Sequence, residues 1–531
     1  MPKQRNRYLF PTRRGFLGEN NTDAETEDAF ASGYLARLRN YHLDGKGAIR
    51  KRQGWEEYNS NAINGSTNVQ GLGVWDFSGA PKLVGIAGDK VKTFSESGSD
   101  WTDITGSLTI NAGQDYLWRF CQFHDGTVGN LIGTDNVGSL FKWTGTGNAT
   151  ALTTLTKASD VQQFKSHVFA INTNHSAGNR STAIRYSDTG DPTSWPNDNV
   201  FDCTRDSDGV GFSLHSNETL LAFYEHSIYR INFDYGGAGA LTSFFTNQLV
   251  DGTVGCASRT SIVSSKGRTY FANSQGIYMV GDVQQPAVYI SRPLEDLWAT
   301  INKTRIKYIY AFERGEPWNE IVFLVSTGNN TKHNTVLVYN TEVAQKSGVE
   351  NAWSVFTASS SKLEFNVGVN YPHTTSANEY TILGKYSDSK IAKAWGTDNL
   401  QVSYTDGGTN VATTAETGYL DFGYEGVKSI REVWMDMTLT SQHDFSINVN
   451  SPEGTLSTST QLDLGGSFGT LDVDFTLNTS TLATGDISQA RFKLTGNSRY
   501  FKVRLEEADS TKPQRIESFH FLFVPKGMRI K

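Results

Sequence analysis

Ten histidines, three cysteines and 55 acidic residues are the groups from which a catalytic or metal centre could be built in this 531-residue chain. Their spacing offers little chemistry. No Walker loop, GxGxxG, HExxH, GxSxG or deaminase signature occurs, and the histidines are scattered without ligand-like intervals. Cys121, Cys203 and Cys256 lie far apart, with no CxxC or Cys/His spacing, which predicts buried free thiols rather than a disulfide framework or structural zinc. DSDG at 206–209 opens like a calcium loop but lacks the later ligands and the closing glutamate, so no metal is assigned. A glycosidase would need two carboxylates flanking a scissile bond, or a tyrosine nucleophile with clustered arginines. Asp206, Asp208 and Asp234 could line a cleft, but in so acidic a chain they read more simply as solvated loop tips.

RYSDTGDPTSWPN, 185–197, resembles the Asp-box of sialidase propellers, in which Ser, Asp, Gly and Trp lock a hairpin turn. The spacings depart from that family: Asp188 directly follows Ser187, and Trp195 lies five residues past Gly190. The expectation is a turn closed by aspartate hydrogen bonds under a tryptophan lid. The sequence therefore predicts no enzyme and no cofactor.

Charge points in the same direction. The net charge of −7 argues against a broad basic face gripping nucleic acid, because such binding rests on phosphate neutralisation. Basic residues nonetheless gather near the N-terminus: Lys3, Arg5, Arg7, Arg13 and Arg14, then Arg37, Arg39, Arg50, Lys51 and Arg52. They read either as a solvated arm or as a surface that docks a partner. No stretch approaches the roughly 20 apolar residues of a membrane helix, and no apolar run follows the basic start, so neither membrane insertion nor a cleaved secretory signal is expected.

The elements that would position these residues are mostly strands. One helix is predicted within 22–43, where acidic residues precede basic ones and Ala29, Phe30, Tyr34, Leu35 and Leu38 can share a face. From about 68 to 400, short apolar and aromatic runs alternate with Gly, Asn, Asp and Ser. They recur in groups of about 40 to 50 residues, the length of a four-stranded propeller blade. A strand ending in an aromatic marks successive groups: VKTF (91–94), LFKW (140–143), the Ile184 to Tyr186 run, SIYRI (227–231), GIYMV (276–280), VLVYN (336–340) and IAKAW (391–395). Six or seven blades follow; a string of β-sandwiches is the competing reading. Trp75, Trp118, Trp143, Trp298, Trp353 and Trp395 are expected to pack blades rather than carry sugars.

Composition shifts at 397–417, which is polar and rich in Thr, Gly and Asn. Beyond it, Phe501, Val503 and Leu505 alternate with Lys502, Arg504 and Glu506, the pattern of strands with one buried face. The predicted fold is all-β: a short N-terminal helical or extended segment (1–60), a β-propeller (61–400) and a C-terminal β-sandwich (401–531), which could form a platform together with the N-terminal segment.

The order of these features resembles a known family. ARLRNYHLDGKGAIRKRQGWEEYN, 36–59, is similar to the opening of the tail nozzle or tail hub proteins of short-tailed double-stranded DNA phages, also described as packaged-DNA stabilisation proteins. Asn40, Asp44, Gly47, Arg52 and Gly54 match, while Gln53 stands where proline is common. IRYSDTGDPTSWP, LLAFYEHSIYRI, GTVGCASRTSIV, YFANSQGIYMVG, ISRPLEDLW and TVLVYNTE continue the similarity through the propeller; the sandwich matches in kind only. The resemblance implies a structural virion protein made in the host bacterial cytoplasm. It would be a homohexameric ring in the virion tail below the head-to-tail adaptor, with tail fibre, spike or needle proteins as further partners, and it would let double-stranded DNA pass without sticking. It would help retain the genome and then eject it. Two alternatives remain from the residues alone: a propeller-based receptor-binding protein, and a glycan-degrading tail enzyme.

Overall fold

The structure is a computed structural model. It describes residues 6–526 apart from 12–14, 22–32, 66, 78, 96–99, 177, 234–244, 359, 373–378, 397–402, 440–443, 453, 456–459, 464–466, 470–479, 483–487 and 508–513.

Six arrays of four strands consecutive in sequence are present, the third carrying Leu155–Lys157 as an additional strand. They span 69–103, 119–152, 160–202, 209–251, 263–289 and 310–356, and we call them blades 1 to 6. Blade 7 takes three strands from Phe365–Pro372, Glu379–Lys385 and Ile391–Ala394. Its fourth strand is Trp55–Glu57, which precedes blade 1 in the chain and pairs Ala394 with Trp55. The innermost strands, beginning at Val69, Arg119, Asp160, Gly209, Val263, Tyr310 and Phe365, follow one another around a closed ring. Closure hides the strand edges that an open row of short sheets would expose.

The recurring aromatic-ended phrase has one structural meaning: in all seven blades it is the third strand. Successive side chains of that strand point to opposite faces of the blade and so reach both seams. The six tryptophans anticipated as packing residues are all buried. Trp75 and Trp143 meet edge to face at 6.1 Å, and their indole N–H groups donate to the carbonyls of Gly129 and Gly147. Burying one such ring contributes about 4 kcal/mol or more.

Beside the propeller stands a two-sheet platform in which the two ends of the chain are interleaved. One sheet orders Tyr41–Leu43, Ile49–Lys51, Gln514–Pro525, Lys428–Leu439 and Ser488–Ser498, with Asn6–Phe10 also paired to Gln514–Pro525. The other orders Tyr34–Arg39, Thr413–Thr417, Lys502–Glu507 and Asp444–Ser451; through Arg39 and Val355 it continues into the outer strand of blade 6. Between the sheets lie Leu35, Leu38, Val433, Met435, Val503, Leu505, Phe519 and Phe521.

One prediction is corrected here. Residues 34–39 and 41–43 are strands, not the second half of a helix; 22–32 lie outside the described residues. Leu35 and Leu38 are three apart, which imitates a helical face. A β-bulge between Leu35 and Arg37 inserts the extra residue that returns both leucines to the core.

Candidate functional site: the junction of propeller and platform

The residues that carry the family resemblance converge where platform, blade 6 and blade 7 meet. Asn40 lets the chain leave one platform sheet and enter the other within a single residue, at φ 62°, a region that Asn tolerates better than most residues. Its amide is fully used: Nδ2 donates to the carbonyls of Thr357 (2.8 Å) and Ala412 (2.6 Å), and Oδ1 accepts from the Thr357 amide and Arg52 Nε. Asp44 closes the next turn, accepting from the Lys46 amide at 2.6 Å. Gly47 passes so close to Gly15 that a Cβ on Gly15 would lie 2.3 Å from Gly47 Cα. Gly54 is equally constrained, since a Cβ there would sit 2.0 Å from the Thr405 carbonyl oxygen.

Arg52 is the centre of this knot. It is 0% exposed and grips Asp406 with both arms, Nη1 to Oδ1 at 2.8 Å and Nη2 to Oδ2 at 2.5 Å. The neighbouring Lys51 is also interior, paired with buried Glu507 on the platform. Neither residue can dock a partner while the chain is folded, which corrects that expectation for Lys51 and Arg52. Their hydrophobic surroundings demand a counter-charge, and the chain supplies it internally.

The remaining basic residues divide further. Arg39 pairs with buried Glu19, whose carboxylate also accepts from the Leu38 amide at 2.8 Å. Arg50 shares Asp44 with Arg515 and is half-buried. Arg7 donates to His520 Nδ1 at 3.1 Å and lies over the Trp434 ring. Arg37 is exposed, and with Arg39 and Lys362 it lines a cleft of about 290 Å³ that Thr409, Asn410 and Thr414 complete. Lys3, Arg5, Arg13 and Arg14 lie outside the described residues.

A second buried charge network backs the junction. Glu320 of blade 6 accepts from Arg314 Nη1 at 2.5 Å and faces His42 Nδ1 at 2.7 Å, while the His42 ring stacks on Trp318 at 4.1 Å. Burial pushes the His42 pKa down, and the cations Arg314 and Arg52 act in the same direction against Glu320. His42 is therefore neutral and donates its Nδ1 proton. Burial opposes ionisation of Glu320, but the Arg314 cation and the hydrogen bonds from Arg314 and His42 outweigh it and hold its pKa below the usual carboxylate range. Asp406 and Glu507 were not visible as partners in the sequence, because they lie 354 and 456 residues from Arg52 and Lys51.

The propeller axis carries its own charges. Arg119 reaches from blade 2 to Asp160 of blade 3 (Nε to Oδ1, 3.1 Å) and to the Ile262 carbonyl at the entrance to blade 5. Arg259 crosses to the carbonyls of Ser159 (2.8 Å) and Leu117. Burial works against the Arg119 cation, yet Asp160 outweighs it and raises the pKa; for Arg259 burial prevails and the pKa falls to about 10. These side chains span the axis from blade to blade. A cavity of about 320 Å³ is lined by Arg119 and by the inner strands of blades 1, 2, 6 and 7.

Among the described residues no three His, Cys, Asp or Glu side chains come together as a metal site. Asp206 and Asp208 are exposed, and Asp234 lies outside the described residues. The 185–197 motif is a turn: Ser194 Oγ donates to Asp188, Asp191 accepts from the Thr193 amide, and buried Trp195 donates to the Pro192 carbonyl. Cys121 and Cys256 are buried free thiols as expected, and Cys203 is half-buried. Burial pushes the Cys203 and Cys256 pKa values up to about 12, so neither is a ready nucleophile.

No family model and no curated protein matches the chain. Among solved structures, Raptor of Chaetomium thermophilum is similar at 12% identity and a TM-score of 0.40, over 65% of this chain and 30% of that one. A chain of a mitotic checkpoint complex is similar at 9% identity and a TM-score of 0.37, over 65% of this chain and 93% of that one. The chain thus spans less than a third of the length of the Raptor chain it matches. Likeness at this level extends no further than the fold.

Proposed function

We propose that this protein is a structural component of a phage tail, a nozzle or hub ring attached below the head-to-tail adaptor that continues the DNA channel. The observation that carries the reading is the Asn40, Asp44, Gly47, Arg52, Gly54 signature, whose wording resembles that family. In this chain Asn40, Arg52 and Gly54 tie platform to propeller, and Asp44 and Gly47 shape the platform turn between them. The reading gives them a mechanical role: a ring under genome pressure needs each subunit's propeller fixed rigidly to its platform.

Two further features fit. Arg119 and Arg259 span the propeller axis, so DNA in this proposal passes between copies around a central lumen, not through a propeller. A net charge of −7 suits a lumen that does not hold phosphates. The cleft around Arg37, Arg39 and Lys362 is the surface assigned to an acidic partner such as the adaptor.

The test is the mass and symmetry of the purified chain, alone and with virion necks, by native mass spectrometry and negative-stain class averages. The expected result is a sixfold ring on the neck. A monomer or trimer that never joins the neck, above all one that depolymerises host polysaccharide, would replace the hub by a receptor-binding or glycan-degrading tail protein.

A further inference from the structure

Arg185 is buried without a partner among the described residues, and the junction makes no use of it. It sits on the third strand of blade 3, opposite Ala170 and Val200. Antiparallel partners share a face, so its side chain projects with Ala170 into the seam toward blade 2. Phe123, Ile132, Leu140, Leu155 and Trp195 form the apolar wall there. Only 3% of the residue is exposed. Nε and Nη1 are buried and make no hydrogen bond, and no ion pair or ring contact engages the guanidinium among the described residues.

Other arginines show how this chain treats a shielded guanidinium. Arg52 has Asp406, Arg314 has Glu320, Arg119 has Asp160 and Arg305 has Asp115. Beside Arg185 the carboxylate that shares its strand face, Asp202, is already taken by Arg180 and Arg205. Arg180, itself paired with Asp202, repels it, and His175 feels its charge while its Nε2 lies 3.2 Å from the Trp195 carbonyl oxygen. Burial first, and Arg180 second, depress the Arg185 pKa. An uncompensated ion in apolar surroundings costs several kcal/mol, and a guanidinium cannot escape by losing its proton at neutral pH.

We propose that Arg185, flanked by His175 and Arg180, binds a single oxyanion group, a carboxylate or a phosphate, at the seam between blades 2 and 3. A guanidinium donates charge-assisted N–H hydrogen bonds to the oxygens of such a group. Nη2, absent from the shielded nitrogens and unbonded, is the end that meets the entering ligand. The turn at 187–199, fixed by the Trp195 to Pro192 hydrogen bond, walls the site. The proposal is independent of the assembly described above, since it needs only the folded monomer.

Calorimetric titration of the full chain with sodium phosphate and with sodium acetate, against sodium chloride at equal ionic strength, tests it. Wild-type protein is expected to bind at least one of the two oxyanions saturably at one site. Tighter phosphate assigns a phosphate ligand, and tighter acetate a carboxylate. Arg185→Met should weaken that binding at least tenfold and, freed of its unpaired charge, melt higher than wild type in chloride. His175→Gln should weaken binding less and guards against a folding failure of the first variant. Absence of saturable binding of either oxyanion in wild type, or binding unchanged in both variants, would overturn the proposal.

Discussion

The seams between blades and the junction with the platform are both buried, yet they are held by opposite means. Away from the propeller axis the contacts between blades are aromatic and aliphatic, with Trp75, Trp118, Phe141 and Trp143 in one cluster and Phe164, Phe169, Phe212 and Phe245 in another. At the junction the chain buries charge instead: Lys51 with Glu507, Arg52 with Asp406, and Arg314 with Glu320 beside His42. Apolar packing is tolerant of register, which suits a repeat whose sequence has drifted. A buried ion pair is intolerant, because either partner alone is strongly unfavourable, and it fixes one geometry. The difference suggests that the blades need only cohere, whereas the platform must sit at one angle.

The sharpest break of that comparison uses one substitution on each side. Arg52→Met strands Asp406 and should cost about 4 kcal/mol, while Trp143→Ala empties a blade seam and should cost a similar amount, about 4 kcal/mol. Denaturant unfolding would show the contrast through rescue: adding Asp406→Leu to Arg52→Met should recover more than half of the loss. If the double variant is as unstable as the single, the junction is not held by its charges.

Acid should weaken the molecule next. His333 bridges the carbonyls of Phe365 and Tyr308, each at 3.0 Å, and burial pushes its pKa down to about 4 although both carbonyls favour the cation. The unfolded chain takes up this proton near pH 6.5, so the stability is present above that pH and is lost as the pH falls toward 4. The loss should approach about 3 kcal/mol, and His42, shifted in the same direction, adds to it. Unfolding free energies measured from pH 7 to 4 should show the fall, and His333→Asn should flatten it.

The smallest effect sharpens the role of Asn40. Glycine adopts φ 62° freely, so Asn40→Gly removes the four amide hydrogen bonds while sparing the backbone, for a loss of about 2 kcal/mol. A melting temperature equal to wild type would reduce Asn40 to a conformational device.

Much of the propeller was legible beforehand because its information is local. Each third strand, from Lys90–Ser95 to Ile391–Ala394, carries its own apolar run and its own flanking turn residues. The outer strand of blade 7 was not legible, since Trp55–Glu57 is three residues long and pairs with Ile391–Ala394 at the other end of the propeller sequence. The helix expected within 22–43 failed over 34–43 for an equally local reason, a bulge that gives a strand the spacing of a helix. The basic cluster read as one surface is divided by depth: Arg37 is exposed, and Arg52 is sealed.

The amino-acid sequence determined the all-β class, the blade repeat, the alternating strands of the sandwich and the turn at 185–197, because strand propensity, two-residue periodicity and turn chemistry act over a few neighbours. Only the tertiary structure decided which charges pair. Arg52 and Asp406 are 354 residues apart and Lys51 and Glu507 456 apart, and Arg185 pairs with no carboxylate among the described residues. A charge's partner is set by distance in space and by the water excluded around it, and no spacing along the chain records either.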